Sequence, residues 1–293
     1  MEPKAGQHKA SRTLFDPAYR NHDAARLREN VNYPYPWVVH SLYAREDPRF
    51  DELELCIFDD VLSLENHVHI VHGGYIAGPI TVQIGKSKPR NLHGTRKPLC
   101  IPAWVEADGL RFSNCKAEGI VFVERIASNS VLEWLDAWQS VKHVLFMSNG
   151  IPRVQGRRAL HRLAQETGLP VYVLTDCDTW GYFLYSVLKR GIMAPHEECP
   201  YLAIKDAKFI GLRVGDFPNH KDLMKPWKSH WSLRLKHLRN YRCFRSPTWQ
   251  RELKAFEKQH ASLELWRLLQ KIPPKTFIAE YLMPKIKRKE WLT

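Results

Sequence analysis

Residues 168–191, GLPVYVLTDCDTWGYFLYSVLKRG, decide the fold. The apolar run VYVL leads into Thr175, then Asp176 and Asp178 one residue apart, and then Trp180, Phe183, Leu184, Val187 and Leu188 at helical spacing. A short β-branched run bounded by polar residues is the length of a buried strand, and the spacing after it predicts a helix that closes on Gly191.

Outward from this stretch the same alternation repeats. EGIVFVER (118–125) reads as a buried strand, SNSVLEWLDAWQSV (128–141) as a Ser-capped helix and KHVLFMS (142–148) as a strand. RVQGRRALHRLAQETG (153–168) reads as a helix closing on Gly168, and AKFIGL (207–212) as a further strand. Strand and helix in alternation with short joints predict an α/β fold whose parallel strands are linked by right-handed crossovers, a Rossmann-like sheet. Upstream, HVHIVHGGYIAGPITVQIG (67–85) reads as strand, Gly-Gly turn, strand. KSKPRNLHGTRKP (86–98) reads as a loop and domain junction, and Phe50, Leu53, Ile57, Val61 and Leu64 mark an amphipathic helix. Residues 1–15 are polar and aperiodic, as expected of a mobile arm.

In a parallel sheet the functional residues gather beyond the carboxyl ends of the strands. Glu124 ends one strand of this unit and Asp176 another, so these two and Asp178 are expected to converge. Capping of the following helix accounts for one aspartate. Three carboxylates together repel one another, and hard oxygen ligands without His or Cys suit magnesium. The same spacing also suits an acidic pocket of the response-regulator kind.

The 293 residues suffice for one large or two medium domains, and a composition 44% hydrophobic and 26% charged is that of ordinary globular chains. The longest apolar runs are too short to cross a bilayer, and the amino-terminal segment lacks the apolar core of a secretory signal, so no membrane association and an intracellular location, in cytoplasm and nucleoid or in a nucleus, are expected. Cys56, Cys100, Cys115, Cys177, Cys199 and Cys243 are scattered without zinc spacing and are expected as reduced thiols. The net charge of +13 is concentrated: residues 221–293 carry 18 Lys and Arg against 6 Asp and Glu, and residues 1–220 carry 26 against 25. A one-sided basic excess fits a polyanionic partner, most often nucleic acid. Within it, HWSLRLKHLRNYRCFRS (230–246) interleaves Arg234, Lys236, Arg239, Arg242 and Arg245 with Trp231, Tyr241 and Phe244. The aromatics are expected in the core and the cations toward phosphates.

These segments, in this order, resemble the topoisomerase VI A subunit, together with its relative, the meiotic DNA-break transesterase. GLPVYVLTDCDTWGYFLYSVLKRG followed by DAKFIGLRVGDF is similar to the family's Toprim domain. IVFVER resembles the strand bearing its metal-binding glutamate, SNGIPRVQGRRALHRL its Gly-x-Pro segment, and WQRELKAFEKQHASLELWRLL with TFIAEYLMPKIKRKEWL its closing helices. Thr179 stands where the family usually has proline, and Arg125 where lysine is common. The resemblance implies a mobile arm over 1–15, a small winged-helix (CAP-like) domain over 16–97, and a Toprim domain with a basic helical extension over 98–293.

It further implies Glu124, Asp176 and Asp178 as ligands of Mg²⁺, for which Mn²⁺ can substitute, and a tyrosine that attacks DNA and becomes linked to its 5′ end. The family pattern puts that tyrosine second in a Tyr-Tyr pair after an arginine. Here VVHSLYAREDPRF offers Tyr43, with Arg45 as the nearby cation, and Tyr35 and Tyr33 as alternatives flanked by prolines. Duplex DNA is the implied partner, contacted by Arg157, Arg158 and the cations of 230–246. The implied assembly is a homodimer, and a separate GHKL-type ATPase B subunit would drive strand passage. Two other readings stay open at this point, a Toprim nuclease that uses water in place of tyrosine and a catalytically inert DNA-binding dimer.

Overall fold

The computed structural model describes residues 74–101, 109–126, 131–148, 150, 152, 154–192, 198–228 and 230–293. The chain divides into two compact units, and all elements below belong to the second, His72–Gly191 with Pro195–Thr293. The arm, the helix expected over 50–64, most of the winged-helix domain and the strand expected before Gly73 lie outside the described residues.

A six-stranded sheet forms the centre. Its strands are β1 (Gly74–Ala77), β4 (Leu99–Ile101), β6 (Ile120–Val123), β7 (Val144–Met147), β8 (Val171–Leu174) and β9 (Lys208–Gly211), in the order β4-β1-β7-β6-β8-β9. β7, β6, β8 and β9 run parallel, in register Ile120↔Val144 and Ile120↔Val171. Every residue of β6, β7 and β8 is buried, as a sheet covered on both faces requires. Between these strands run α1 (Val131–Trp138), α2 (Val154–Thr167) and α3 (Thr179–Arg190).

The sheet is mixed rather than wholly parallel, because β1 and β4 add an antiparallel edge. β1, which lies within the 16–97 stretch expected as a preceding domain, is a strand of this same sheet. Gly74 and Gly78 permit the close approach. A side chain at Gly74 would meet the Met147 carbonyl at 2.7 Å, and one at Gly78 the His143 carbonyl at 2.6 Å. After the Gly78-Pro79 turn, β2 (Thr81–Ile84) leaves for a separate three-stranded antiparallel sheet with β3 (Arg90–Asn91) and β5 (Leu110–Ser113).

Carboxyl-terminal elements pack against α1 and α3. These are β10 (Lys225–Pro226), α4 (His230–Arg239), α5 (Pro247–Gln259), β11 (Ala261–Ser262), α6 (Leu265–Leu269), α7 (Pro274–Phe277) and α8 (Met283–Arg288), the last two joined by a π turn over Ile278–Leu282. Tyr182 and Tyr185 of α3 pack with Phe209 of β9 and Trp249 of α5, at centroid distances of 5.1–6.1 Å. Trp231 and Phe244 are buried and Tyr241 is half-buried, so the aromatics of the basic stretch are core residues. Leu292 bridges Phe209 and covers the edge of β9.

Candidate metal centre

The acids meet where β6 and β8 end. Glu124 directly follows β6, Asp176 lies two residues beyond β8, and Asp178 is the N-cap of α3. Asp178 has extended dihedrals (φ −151°, ψ 178°), and its Oδ1 accepts the Gly181 N–H at 2.7 Å, which fixes the first turn of the helix. Gly181 is required there: a side chain would meet the Asp176 carbonyl at 2.1 Å. Glu124 Oε2 accepts the Asp176 N–H at 3.2 Å, and Asp176 Oδ1 accepts the Leu265 N–H at 2.8 Å. Glu124 and Asp176 thus each accept a backbone N–H through one oxygen.

Electrostatics reflect the crowding. Burial pushes the Glu124 carboxyl well above the usual range, and the charges of Asp176 and Asp178 push it further. Burial, then the Asp178 charge, raises Asp176 to about 7, against the opposing Leu265 N–H. Burial raises Asp178 too, countered by the Gly181 and Trp180 N–H groups and by Arg234. Among the described residues, no group of three or more His, Cys, Asp or Glu side chains closes tightly enough to surround an ion. The donor chemistry fits a hard divalent cation: all ligands are oxygen and the negative charge is crowded.

Two residues near the acids carry no strong sequence signal of their role. Glu264 raises both Asp176 and Asp178, and exposed Arg125 lowers Glu124 and Asp176. Glu264 comes from a segment nearly ninety positions downstream, brought in by the antiparallel bridge of Cys177 with Leu263. Cys177 itself is buried, its Sγ 3.6 Å from the Tyr182 hydroxyl, which in turn donates to Glu252 at 3.2 Å. It belongs to the core.

Of the expected DNA contacts, Arg234 borders the acids: its guanidinium lies 4.0 Å from the Trp180 ring centre and donates to Thr179 Oγ1 at 3.4 Å. Lys236, Arg242 and Arg245 are exposed, Arg158 is half-buried on α2, and Arg239 pairs with Glu257 at 2.7 Å. Arg157 is a correction. It is buried, and its Nη1 donates to the Pro152 carbonyl at 2.8 Å, so helical phase turns it inward to tie down the start of α2. Tyr43, Tyr35, Tyr33 and Arg45 lie outside the described residues.

Such a sheet, with acids beyond two parallel strands and a third capping the next helix, defines a Toprim domain. The family model for the Toprim domain of the topoisomerase 6 A subunit/Spo11 proteins matches residues 119–286, and the chain belongs to that family. It is similar to the A subunits of type 2 DNA topoisomerase 6 from Hyperthermus butylicus and Saccharolobus shibatae, each 32% identical over 199 residues. These matches take in 63% of this chain and 51% and 50% of those proteins. The corresponding protein of Pyrococcus horikoshii is 29% identical over 259 residues, 83% of this chain and 66% of the relative. The chain thus spans about half the length of the first two relatives and two thirds of the third. Among the described residues, no helix is long and apolar enough to cross a membrane.

Proposed function

We propose that the protein cleaves duplex DNA by Mg²⁺-dependent transesterification, in the manner of a topoisomerase VI A subunit. One observation supports this above all: a family member crowds three carboxylates where two strands of its Toprim sheet end and the next helix begins. Glu124, Asp176 and Asp178 would hold the ion. Bound there, Mg²⁺ supplies positive charge against the phosphate, and Mn²⁺ can supply the same.

The chain's own residues do the rest. Tyr43 Oη attacks the phosphorus, the bond to the 3′ oxygen breaks, and a 5′-phosphotyrosyl link keeps the phosphodiester energy for resealing. An ordinary tyrosine has a pKa of ~10, so it needs a positive neighbour or a base, and Arg45 is the candidate, with Tyr35 and Tyr33 as alternative nucleophiles. We assign the tyrosine to a winged-helix domain that precedes the six-stranded sheet. Lys236, Arg242, Arg245, Arg239, Arg234 and Arg158 neutralise the backbone, giving salt-dependent binding without sequence preference. Cutting both strands takes two tyrosines and two acidic centres, hence a two-fold homodimer, which also matches duplex symmetry. Strand passage assigns ATP hydrolysis to a separate GHKL-type B subunit.

The test is incubation with supercoiled plasmid and Mg²⁺ or Mn²⁺, detergent denaturation, and detection of protein-linked 5′ ends. An adduct lost in both Tyr43→Phe and Asp176→Asn is expected. Cleavage with free 5′ ends would instead identify a hydrolytic nuclease. DNA binding without cleavage, even in the presence of a B subunit, would identify an inert scaffold.

A further inference from the structure

A second charged group abuts the acids. In the β10–β11 ribbon Lys225 lies opposite Ser262, so Glu264 sits diagonally across from it, within reach of long side chains. Lys225 Nζ donates to Glu264 Oε1 at 2.6 Å. Trp266 Nε1 donates to Glu264 Oε2 at 2.8 Å, and Arg267 Nε stands 3.4 Å from that same oxygen. Both cations also flank the indole: Lys225 Nζ is 5.9 Å and the Arg267 guanidinium carbon 5.4 Å from the Trp266 ring centre. The intervening residue, Leu265, gives its N–H to Asp176, so this group shares a backbone anchor with the acidic centre.

Neutralising Glu264 takes one cation, and two are gathered. Each keeps about a third of its side chain exposed, 30% for Lys225 and 33% for Arg267, while Glu264 is more buried at 20%. A carboxylate and an indole that orient two partly exposed cations form a receptor for an anion. A duplex held at the acids carries further backbone phosphates on either side of the reacting one, and the shared Leu265 anchor places this receptor next to the acids.

We propose that Lys225 and Arg267 grip a backbone phosphate of duplex DNA next to the acidic centre, and that Glu264 is the positioning residue that holds them there. The inference rests on the DNA-cleaving reading above and adds a contact separate from that of Arg234. No sequence feature marks it, because the four residues come from two segments 39 positions apart.

The test measures binding of the full chain to a fluorescently labelled short duplex by anisotropy, without Mg²⁺, across a series of KCl concentrations. Each lost phosphate contact lowers the steepness of log K against log[salt] by ~0.9. Lys225→Gln with Arg267→Gln removes that one contact and is therefore expected to flatten the slope by about 0.9 and weaken binding at low salt. The single variants, each expected to take part of that change, serve if the double variant melts early by circular dichroism. Glu264→Gln discriminates further. A purely electrostatic cluster would bind DNA more tightly once that charge is gone, whereas a positioning role predicts weaker binding with the slope falling toward that of the double variant. An unaltered slope in well-folded Lys225 and Arg267 variants, or tighter binding by Glu264→Gln, would overturn the inference alone. Absence of salt-dependent duplex binding by the unaltered chain would instead overturn the DNA-cleaving reading.

Discussion

Asp216 and Asp176 both follow strands of one sheet, Asp216 five residues beyond β9 and Asp176 two beyond β8, and the protein treats them in opposite ways. Asp216 Oδ2 accepts from Lys285 Nζ at 2.7 Å, from the Tyr281 hydroxyl at 2.6 Å and from the Arg213 N–H at 2.8 Å. Glu252, close by, is satisfied in the same way by Arg213, Tyr182 and the Val214 N–H. Asp176 receives one backbone N–H, and the charges of Asp178 and Glu264 around it are opposed, among the described residues, only by exposed Arg125. A buried acid that serves the fold comes with its own cation. One left among like charges destabilises the fold until something else binds.

The largest expected effect comes from breaking the compensated side. Lys285 is buried, and burial lowers its pKa while Asp216 opposes that shift, so its charge is retained by the pairing. Lys285→Met leaves Asp216 without its cation, and a cost of about 3–5 kcal/mol is expected in urea unfolding near neutral pH. Adding Asp216→Asn should recover much of that loss. A Lys285→Met chain within about 1 kcal/mol of the parent would show that the pair contributes little.

A smaller loss is expected from crowding the acidic turn. Gly181→Ala drives a methyl group into the Asp176 carbonyl and should cost about 1–3 kcal/mol as the backbone moves to accommodate it. It should also weaken metal binding more than its stability cost suggests, since the moved carbonyl belongs to Asp176. Calorimetric titration with Mg²⁺ or Mn²⁺ measures this, and equal affinities in both proteins would place the turn outside the metal centre.

Removing a charge on the uncompensated side should have the opposite sign. Burial and the Asp178 charge push Asp176 up to about 7 in the folded chain from an ordinary 3.8. Between those values the folded chain holds a proton that the unfolded chain has lost, so stability without metal falls as pH rises through that interval. Asp176→Asn should flatten this decline and raise stability at pH ~8 by on the order of 1 kcal/mol. Divalent metal should raise the melting temperature of the parent more at pH ~8 than at pH ~6. A decline of melting temperature with pH that is steeper in Asp176→Asn than in the parent would contradict the crowding.

Much of this contrast could be read in advance, because its local part is written in contiguous residues. The β8–α3 stretch carries its strand, its N-cap and its Gly191 stop within 24 residues, and the acids at 124, 176 and 178 sit on strand ends that periodicity alone locates. Partners supplied by distant segments left no such trace. Lys285 reaches Asp216 across 69 positions and Leu265 reaches Asp176 across 89, and neither residue differs in local pattern from its neighbours. The antiparallel edge was missed for a related reason: β1 and β2 adjoin in sequence but enter different sheets, and only the close approach to β7 explains Gly74 and Gly78. Arg157 and Arg158 are adjacent, so composition assigns them alike, while helical phase buries the first and leaves the second half-buried.

The smallest effect on stability is expected where a charge pair lies at the surface, and there the contrast between fold and function is sharpest. Arg239 Nη2 meets Glu257 at 2.7 Å between α4 and α5, both side chains being partly exposed. Water already solvates such a pair, so Arg239→Ala should change unfolding free energy by less than about 1 kcal/mol. Its effect on duplex binding should be a loss of slope against log[salt] of ~0.9, the signature of one phosphate contact. If Arg239→Ala instead destabilises the chain by several kcal/mol while leaving the salt slope intact, Arg239 belongs with Lys285 among the cations that hold the fold. The phosphate path would then run through Lys236 of α4 and Arg242 in the turn after it.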